Sequence, residues 1–387
     1  MECRTARDLG LALRAREPEK HEPGRGGQQP LRASVAPAPG NSMARRARHI
    51  RPDIVSFGNL LEAWRKVQLG KRYRPAVLRF RAALEDNLLT LQERLLAHEW
   101  QPEPCRRFRI MENRPRTIDA PTIADCVLYH AVLNVMEPWF ERRFIADSYA
   151  CRVGKGTHAA SERTRQFLRT ATALWGRPYV LKADISKYFA SIDHERVLSM
   201  LPRVTSDPDV LWLFGQIVRR NGFAEKGLAL GCTTSQWLAN LYLDPLDHLI
   251  KDEMGVRFYV RYMDDFVLLG PSKEWCWTVL DAIRDFVTVS LKLQLNPKTG
   301  VWPASHGIDF VGYRHWTDKV LPRKRTVKRA RRAFRTFPRL YARGKIDLAY
   351  IRARVASFTG YMQHCDGYET LSRILEKLVL TRSLTSE

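Results

Sequence analysis

The chain has 387 residues and carries 64 Lys and Arg against 41 Asp and Glu, a net charge of +23. Such an excess steers a protein toward polyanions held by salt-dependent contacts; a solubilising surface is the plainer alternative. No apolar run nears the roughly 20 residues that span a bilayer, the Arg-rich start has no apolar core segment, and the seven Cys include no Cys-x-x-Cys pair, so neither membrane span, signal peptide, disulfide framework nor zinc site is indicated and a cytoplasmic location is expected.

Residues 1–49 hold Pro, Gly, Gln and Arg with few large apolar side chains, a composition that predicts a disordered basic extension. Met43 is an alternative start, and an RNA-binding tail is the functional alternative. Residues 57–105 read helical, with Leu84, Leu88, Leu91 and Leu95 at helical spacing. Cys105 to Ile110 and Arg114-Pro115-Arg116 alternate basic and apolar residues, as strands projecting cations from one face would. A guanidinium fork at Arg114 or Arg116 suits phosphate oxygens; a solvated face is the other reading. A helix is expected over 121–145, with Ile123, Val127, Val132 and Val135 on its apolar stripes. Gly154-Lys155-Gly156 reads as a turn that lets backbone approach another chain closely.

Tyr179-Val180-Leu181 is β-prone and leads to Asp184, placing that acid at a strand end. Asp193 then reads as a helix N-cap, since its carboxylate can satisfy orphan N–H groups. Gly227 to Leu243 begins as a glycine-bearing loop and continues as a helix. Phe258-Tyr259-Val260-Arg261-Tyr262 and Phe266-Val267-Leu268-Leu269 read as hairpin arms, with Asp264 and Asp265 at or beside the tip. Adjacent carboxylates repel, so a fold that keeps them usually supplies a cation. Hard oxygen donors suit Mg²⁺, and Asp184 would complete a three-carboxylate cradle. A solvated turn is the alternative, Asp being common in turns. Arg323-Lys324-Arg325, followed by Lys328, Arg329, Arg331 and Arg332 among Phe334, Phe337, Leu340 and Tyr341, predicts C-terminal helices with one cationic face. Such a face holds nucleic-acid backbone without reading sequence.

The ordered series Arg114-Pro115-Arg116-Thr117-Ile118, Ser148 to Thr157, Lys182-Ala183-Asp184, Gly231-Cys232-Thr233-Thr234-Ser235-Gln236, Tyr262-Met263-Asp264-Asp265, Leu295-Asn296-Pro297-Lys298-Thr299 and Phe310-Val311-Gly312-Tyr313-Arg314 is similar to the motif set of bacterial reverse transcriptases. It covers about Phe57 to Leu380. More narrowly it resembles the enzyme of diversity-generating retroelements. Retron and group II intron enzymes typically carry Gln-Gly and Ser-Pro in the fourth motif. This chain has Leu230-Gly231 and Ser235-Gln236, departing from the narrower branch at Cys232, where Asn is more usual.

The resemblance implies an α+β right-hand polymerase. Fingers would span 50–175, a palm with an antiparallel sheet and helices 176–315, and a basic helical thumb 316–387. It implies two Mg²⁺ ions, with Mn²⁺ able to substitute, on Asp184, Asp264 and Asp265, with Ile185 beside them in the metal set. Lys298 would protonate the pyrophosphate leaving group or simply attract it. Arg114, Arg116, Phe189, Leu230, Gly231 and Gln236 would contact the deoxynucleoside triphosphate. Phe189 would exclude a 2′-hydroxyl, or else be a core aromatic. Lys155, Gly312, Tyr313, Arg323, Lys324 and Arg325 would contact template RNA, primer strand or cDNA. Leu230, in place of an amide, implies error-prone copying opposite template adenines. The RNA would derive from a template repeat, the cDNA would replace a variable repeat in a target gene, and a small basic accessory variability protein would be a partner. A retron, group II intron-like or defence enzyme of ordinary fidelity is the nearest alternative. A catalytically silent RNA-binding protein is the alternative of a different class.

Overall fold

The computed structural model describes residues 46–111, 115–220 and 225–381; Arg114 and most of the expected N-terminal extension lie outside the described residues. In chain order come α1 (Arg51–Val55), α2 (Phe57–Val67), α3 (Pro75–Ala82), α4 (Leu84–Leu96), β1 (Arg106–Met111), β2 (Pro115–Ala120), α5 (Ile123–Glu141) and α6 (Thr157–Trp175). They are followed by β3 (Tyr179–Asp184), α7 (Tyr188–Ser191), α8 (His194–Met200), α9 (Pro208–Arg220), α10 (Thr233–His248), β4 (Tyr259–Tyr262), β5 (Asp265–Gly270) and α11 (Lys273–Asp285). Last are β6 (Gly300–Pro303), β7 (Ile308–Phe310), β8 (Tyr313–His315), β9 (Val320–Pro322), α12 (Lys324–Ala342), α13 (Leu348–Met362) and α14 (Tyr368–Leu375).

Contacts divide the chain into two units, Met1–Ile145 with Ile185–Gly255 and Ala282–Gln294, and Ala146–Asp184 with Val256–Asp281 and Leu295–Glu387. This division cuts across the contiguous blocks expected above, because the strands of the expected palm and the helices that connect them fall in different units.

The first unit is mainly helical. Ser56 Oγ accepts from the Asn59 N–H at 3.3 Å at the head of α2, Thr122 caps α5 the same way at 3.2 Å, and Asp193 caps α8 as its position predicts, accepting from the Arg196 N–H at 3.0 Å. Leu88, Leu91 and Leu95 are buried on one side of α4. The helical reading of 57–105 runs too far. α4 ends at Leu96, and Pro102 and Pro104 disfavour helix in the residue before each. The disordered reading of residues 1–49 also runs too far. Ala47 is fully buried and bridges to Thr205, its N–H donating to the Val204 carbonyl at 2.9 Å.

The second unit holds an antiparallel sheet of order β4-β5-β3-β6. Val180, Lys182 and Asp184 stand opposite Leu269, Val267 and Asp265, so these six side chains share one face. The Val180 and Leu269 end of that face packs with Ala160, Leu168 and Ala171 of α6; the other end is polar. A smaller sheet, β7-β8-β9, follows. The expected basic run lies on α12, which closes with α13 and α14 around Phe334, Phe337, Ile351, Phe358, Met362 and Ile374. No helix among the described residues is long and apolar enough to cross a membrane.

His315 on β8 is fully buried. Its Nδ1 lies 3.1 Å from the Ile308 carbonyl, which can only accept, so Nδ1 carries the proton and Nε2 accepts from Ser161 Oγ at 2.8 Å. Burial pushes its pKa down to about 4. The unfolded chain therefore takes up the proton first, near pH 6.5. Stability from the neutral ring is complete above that pH and lost as pH falls from about 6.5 through 4, up to about 3 kcal/mol. Denaturant unfolding at stepped pH should show His315→Gln lacking this acid-dependent loss relative to wild type. Parallel curves for the two proteins would remove His315 as its source.

Candidate active site

The hairpin predicted around the paired acids is β4 and β5, with Tyr262 opposite Asp265 and Met263-Asp264 as a two-residue loop. Such loops need positive φ, and Met263 supplies it at +56° without being glycine, at a cost of order 1 kcal/mol. Arg261, fully buried, donates from Nη1 to the Met263 carbonyl at 3.0 Å and so pins the turn.

Asp184 ends β3 directly opposite Asp265. Asp264 lies beside Asp184, and burial together with that neighbouring carboxylate pushes the Asp264 carboxyl up to about 7. Burial pushes Asp265 up to about 6 against the opposing pull of Lys182, whose Nζ donates to Asp265 Oδ2 at 3.1 Å. Asp184 is held by Asn296, whose Nδ2 donates to Oδ2 at 3.0 Å and whose N–H donates to the Asp184 carbonyl at 2.7 Å. Among the described residues, no three acidic, His or Cys side chains stand close enough to hold a metal ion as placed. The donor set nonetheless suits a hard cation, because the buried Asp265 Oδ1 has no hydrogen-bond partner and the two other carboxylates share one site. Residues that would hold the ion are Asp184, Asp264 and Asp265. Ile185 is buried, and its hydrocarbon side chain offers no ligand, leaving its main-chain carbonyl.

The remaining expected site residues fall into three groups. Lys298 is exposed, its N–H donating to Asn296 Oδ1 at 3.0 Å, which places it two residues from the Asp184 partner. In the first unit, the Leu230 carbonyl accepts from the Asp119 N–H at 3.0 Å. A Cβ on Gly231, whose φ is +120°, would stand 3.0 Å from the Asp119 carbonyl oxygen. The close approach that Gly231 permits within the protein is thus to the backbone of β2, and the residue itself is exposed. Gln236 is exposed on α10, Phe189 is half-buried with its ring edge-on to Tyr188, and Arg116 is exposed on β2.

Three residues of the expected nucleic-acid set have partners within the protein. Tyr313 is fully buried, its hydroxyl donating to the Tyr361 carbonyl at 3.1 Å, so it is a packing residue. Lys155 lies over the Tyr149 ring, 4.8 Å from its centroid, and bonds the Ala146 carbonyl. Arg323 is paired with Asp309, Nε to Oδ1 at 2.7 Å. Gly312 does stand at a turn, between β7 and β8, with φ +95°, and Lys324 and Arg325 are exposed at the start of α12.

Lys182, Asn296 and Arg261 received no role from the sequence. The available signals were a lysine and an arginine inside apolar strands, and an Asn-Pro turn in register with the acids.

Residues 111–315, more than half of the chain, match the family described as "Reverse transcriptase (RNA-dependent DNA polymerase)". Protein YkfC of Escherichia coli (strain K12) is 27% identical over 309 residues, covering 69% of this chain and 79% of that protein. Group II intron-encoded protein LtrA of Lactococcus lactis subsp. cremoris is 22% identical over 320 residues, covering 64% of this chain and 52% of LtrA. The chain thus spans about half the length of LtrA. An apo telomerase from Candida tropicalis aligns with a TM-score of 0.46 at 12% identity, over 61% of this chain and 60% of that one.

Proposed function

The chain belongs to the reverse transcriptase family of RNA-dependent DNA polymerases, and from that membership we propose that it copies a template RNA into error-prone cDNA using Asp184, Asp264 and Asp265. The observation that carries the catalytic reading is the pairing of Asp184 with Asp265 across β3 and β5, beside the Asp264 turn. When bound there, two Mg²⁺ ions, or Mn²⁺ in their place, would lower the pKa of the primer 3′-hydroxyl and neutralise the leaving pyrophosphate. The protein's own part is to hold three carboxylates with main-chain precision: one at a strand end, two at a hairpin tip. Lys324, Arg325 and the rest of the basic face of α12 would hold the duplex by its phosphates. Lys298 would supply a cation or a proton to pyrophosphate.

The finer reading is that of a diversity-generating retroelement enzyme, acting on template-repeat RNA with a small basic accessory variability protein. Leu230 supports it: an apolar side chain stands where accurate relatives place an amide, and its main chain is fixed by Asp119. Similarity to LtrA favours a second reading, a group II intron-like enzyme of ordinary fidelity. The deciding experiment is primer extension on a defined RNA with Mg²⁺ and deoxynucleotides, every product sequenced. Errors concentrated opposite adenines support the first reading; accurate or evenly erroneous cDNA supports the second. In the first case Leu230→Gln should lower adenine-templated errors about two- to tenfold, the worth of one hydrogen bond. An unaltered error spectrum would reduce Leu230 to a packing residue.

A further inference from the structure

We propose that Lys182 is a positioning residue that makes Asp265 offer a single oxygen to the divalent cation, and thereby biases the site toward Mg²⁺ over larger ions. The inference rests on the carboxylates being the metal ligands, as in the function proposed above.

Lys182 interrupts the run Val180-Leu181-Lys182-Ala183 in the middle of β3. A lysine there needs a reason, because its neighbours on the strand are buried and charged residues are seldom placed so without a partner. It shares its sheet face with Asp184 and Asp265, and the residue opposite it on β6 is Gly300, which adds no side chain beside the lysine stem. Its Nζ bridges two acceptors, Asp265 Oδ2 at 3.1 Å and the main-chain carbonyl of Asp309 at 2.6 Å.

Both acceptors are themselves held. Asp265 is fixed by the β3–β5 and β4–β5 registers. Asp309 sits on β7, paired with β8, and its carboxylate takes the Arg323 Nε at 2.7 Å. The Arg323 N–H in turn donates to the Gly312 carbonyl at 3.1 Å. The ammonium is therefore fastened to a braced strand, and it cannot leave Asp265 without abandoning a second bond.

The consequence falls on the carboxylate. Oδ2 is engaged, while Oδ1 is buried and without a partner. A cation entering from the Asp184 and Asp264 side would take Oδ1 alone. One-oxygen coordination suits Mg²⁺, which demands near-ideal octahedral geometry, whereas Ca²⁺ accepts two-oxygen chelation and higher coordination numbers. Without Lys182, Asp265 could turn both oxygens to the ion, and the nearby positive charge would be gone.

The test uses the full chain with Lys182→Met and the conservative Lys182→Arg. Mn²⁺ binding without nucleic acid or nucleotide is followed by electron paramagnetic resonance of the free ion, then reversed with Ca²⁺ or Mg²⁺. The expected result is that Ca²⁺ displaces Mn²⁺ at about tenfold lower concentration in Lys182→Met, with Mg²⁺ displacement changed much less. In primer extension kcat should fall on the order of 10–100-fold with KM for the nucleotide held within about twofold; Lys182→Arg should recover most of both. Should the Met variant fail to fold by circular dichroism, Lys182→Gln, neutral and similar in size, is read the same way. Unchanged Ca²⁺ displacement overturns the proposal, as does a uniform loss of affinity for all three ions. A wild-type protein that neither binds Mn²⁺ nor extends a primer overturns the catalytic reading and this proposal with it.

Discussion

Asp264→Asn should abolish RNA-templated DNA synthesis, by roughly 10²–10³-fold or more, while leaving the folded protein at least as stable as wild type. The two effects separate for a physical reason. Asp264 stands beside the Asp184 carboxylate in a half-buried turn, and its ionisation is already opposed by desolvation and by that neighbour. Asparagine keeps the shape and can donate a hydrogen bond to Asp184, so the like-charge conflict disappears. The same change removes the charge of one of the three proposed metal ligands, and with it electrostatic stabilisation that the proposed phosphoryl transfer would need. A function that destabilises its own site is expected to show this opposition. Primer extension and denaturant unfolding on the same preparation read both quantities. Retained cDNA synthesis would remove Asp264 from catalysis. A large loss of stability alongside inactivity would show a structural residue instead.

Much of this site was legible in the sequence because its signals are local. Tyr259 to Leu269 is a run of β-prone residues broken by two acids, and a hairpin with the acids at or beside its tip follows from that composition. Asp193 could be placed as a cap because capping is decided within four residues. What local pattern does not show is a contact distant in sequence. Gly231 stands against the backbone of β2, about 110 positions upstream. Tyr313 looked like part of a gripping hairpin, but α13 covers it through Tyr361. Arg323 was one cation in a basic run, and only the fold reveals Asp309 as its partner. Local pattern locates the carboxylates; it cannot say which cations are already paired.

Arg261 is the residue whose loss should be felt most in folding. It lies fully buried on the face of the sheet opposite Asp265. Its backbone N–H donates to the Asp147 carbonyl at 3.0 Å, and its carbonyl accepts from the Tyr149 N–H at 2.9 Å. Those main-chain bonds survive replacement by Ala or Met; the side chain's bond to the Met263 carbonyl does not. Arg261→Ala should open a cavity and leave that carbonyl unpaired, destabilising the protein by about 3–5 kcal/mol. Arg261→Met refills most of the volume and should cost less, about 1–3 kcal/mol for each polar group it leaves unpaired, the Met263 carbonyl among them. Activity should not follow the same order. Met263 holds positive φ, a conformation that a non-glycine residue keeps only when its surroundings enforce it. In both variants the Met263-Asp264 turn loses its brace, so cDNA synthesis should fall by at least tenfold in Arg261→Met even where unfolding shows a mostly intact core. Activity that tracks stability across the two variants would mean that Arg261 merely packs. Activity lost in both, with stability largely kept in the methionine variant, would mean that the buried guanidinium sets the position of the proposed catalytic acids.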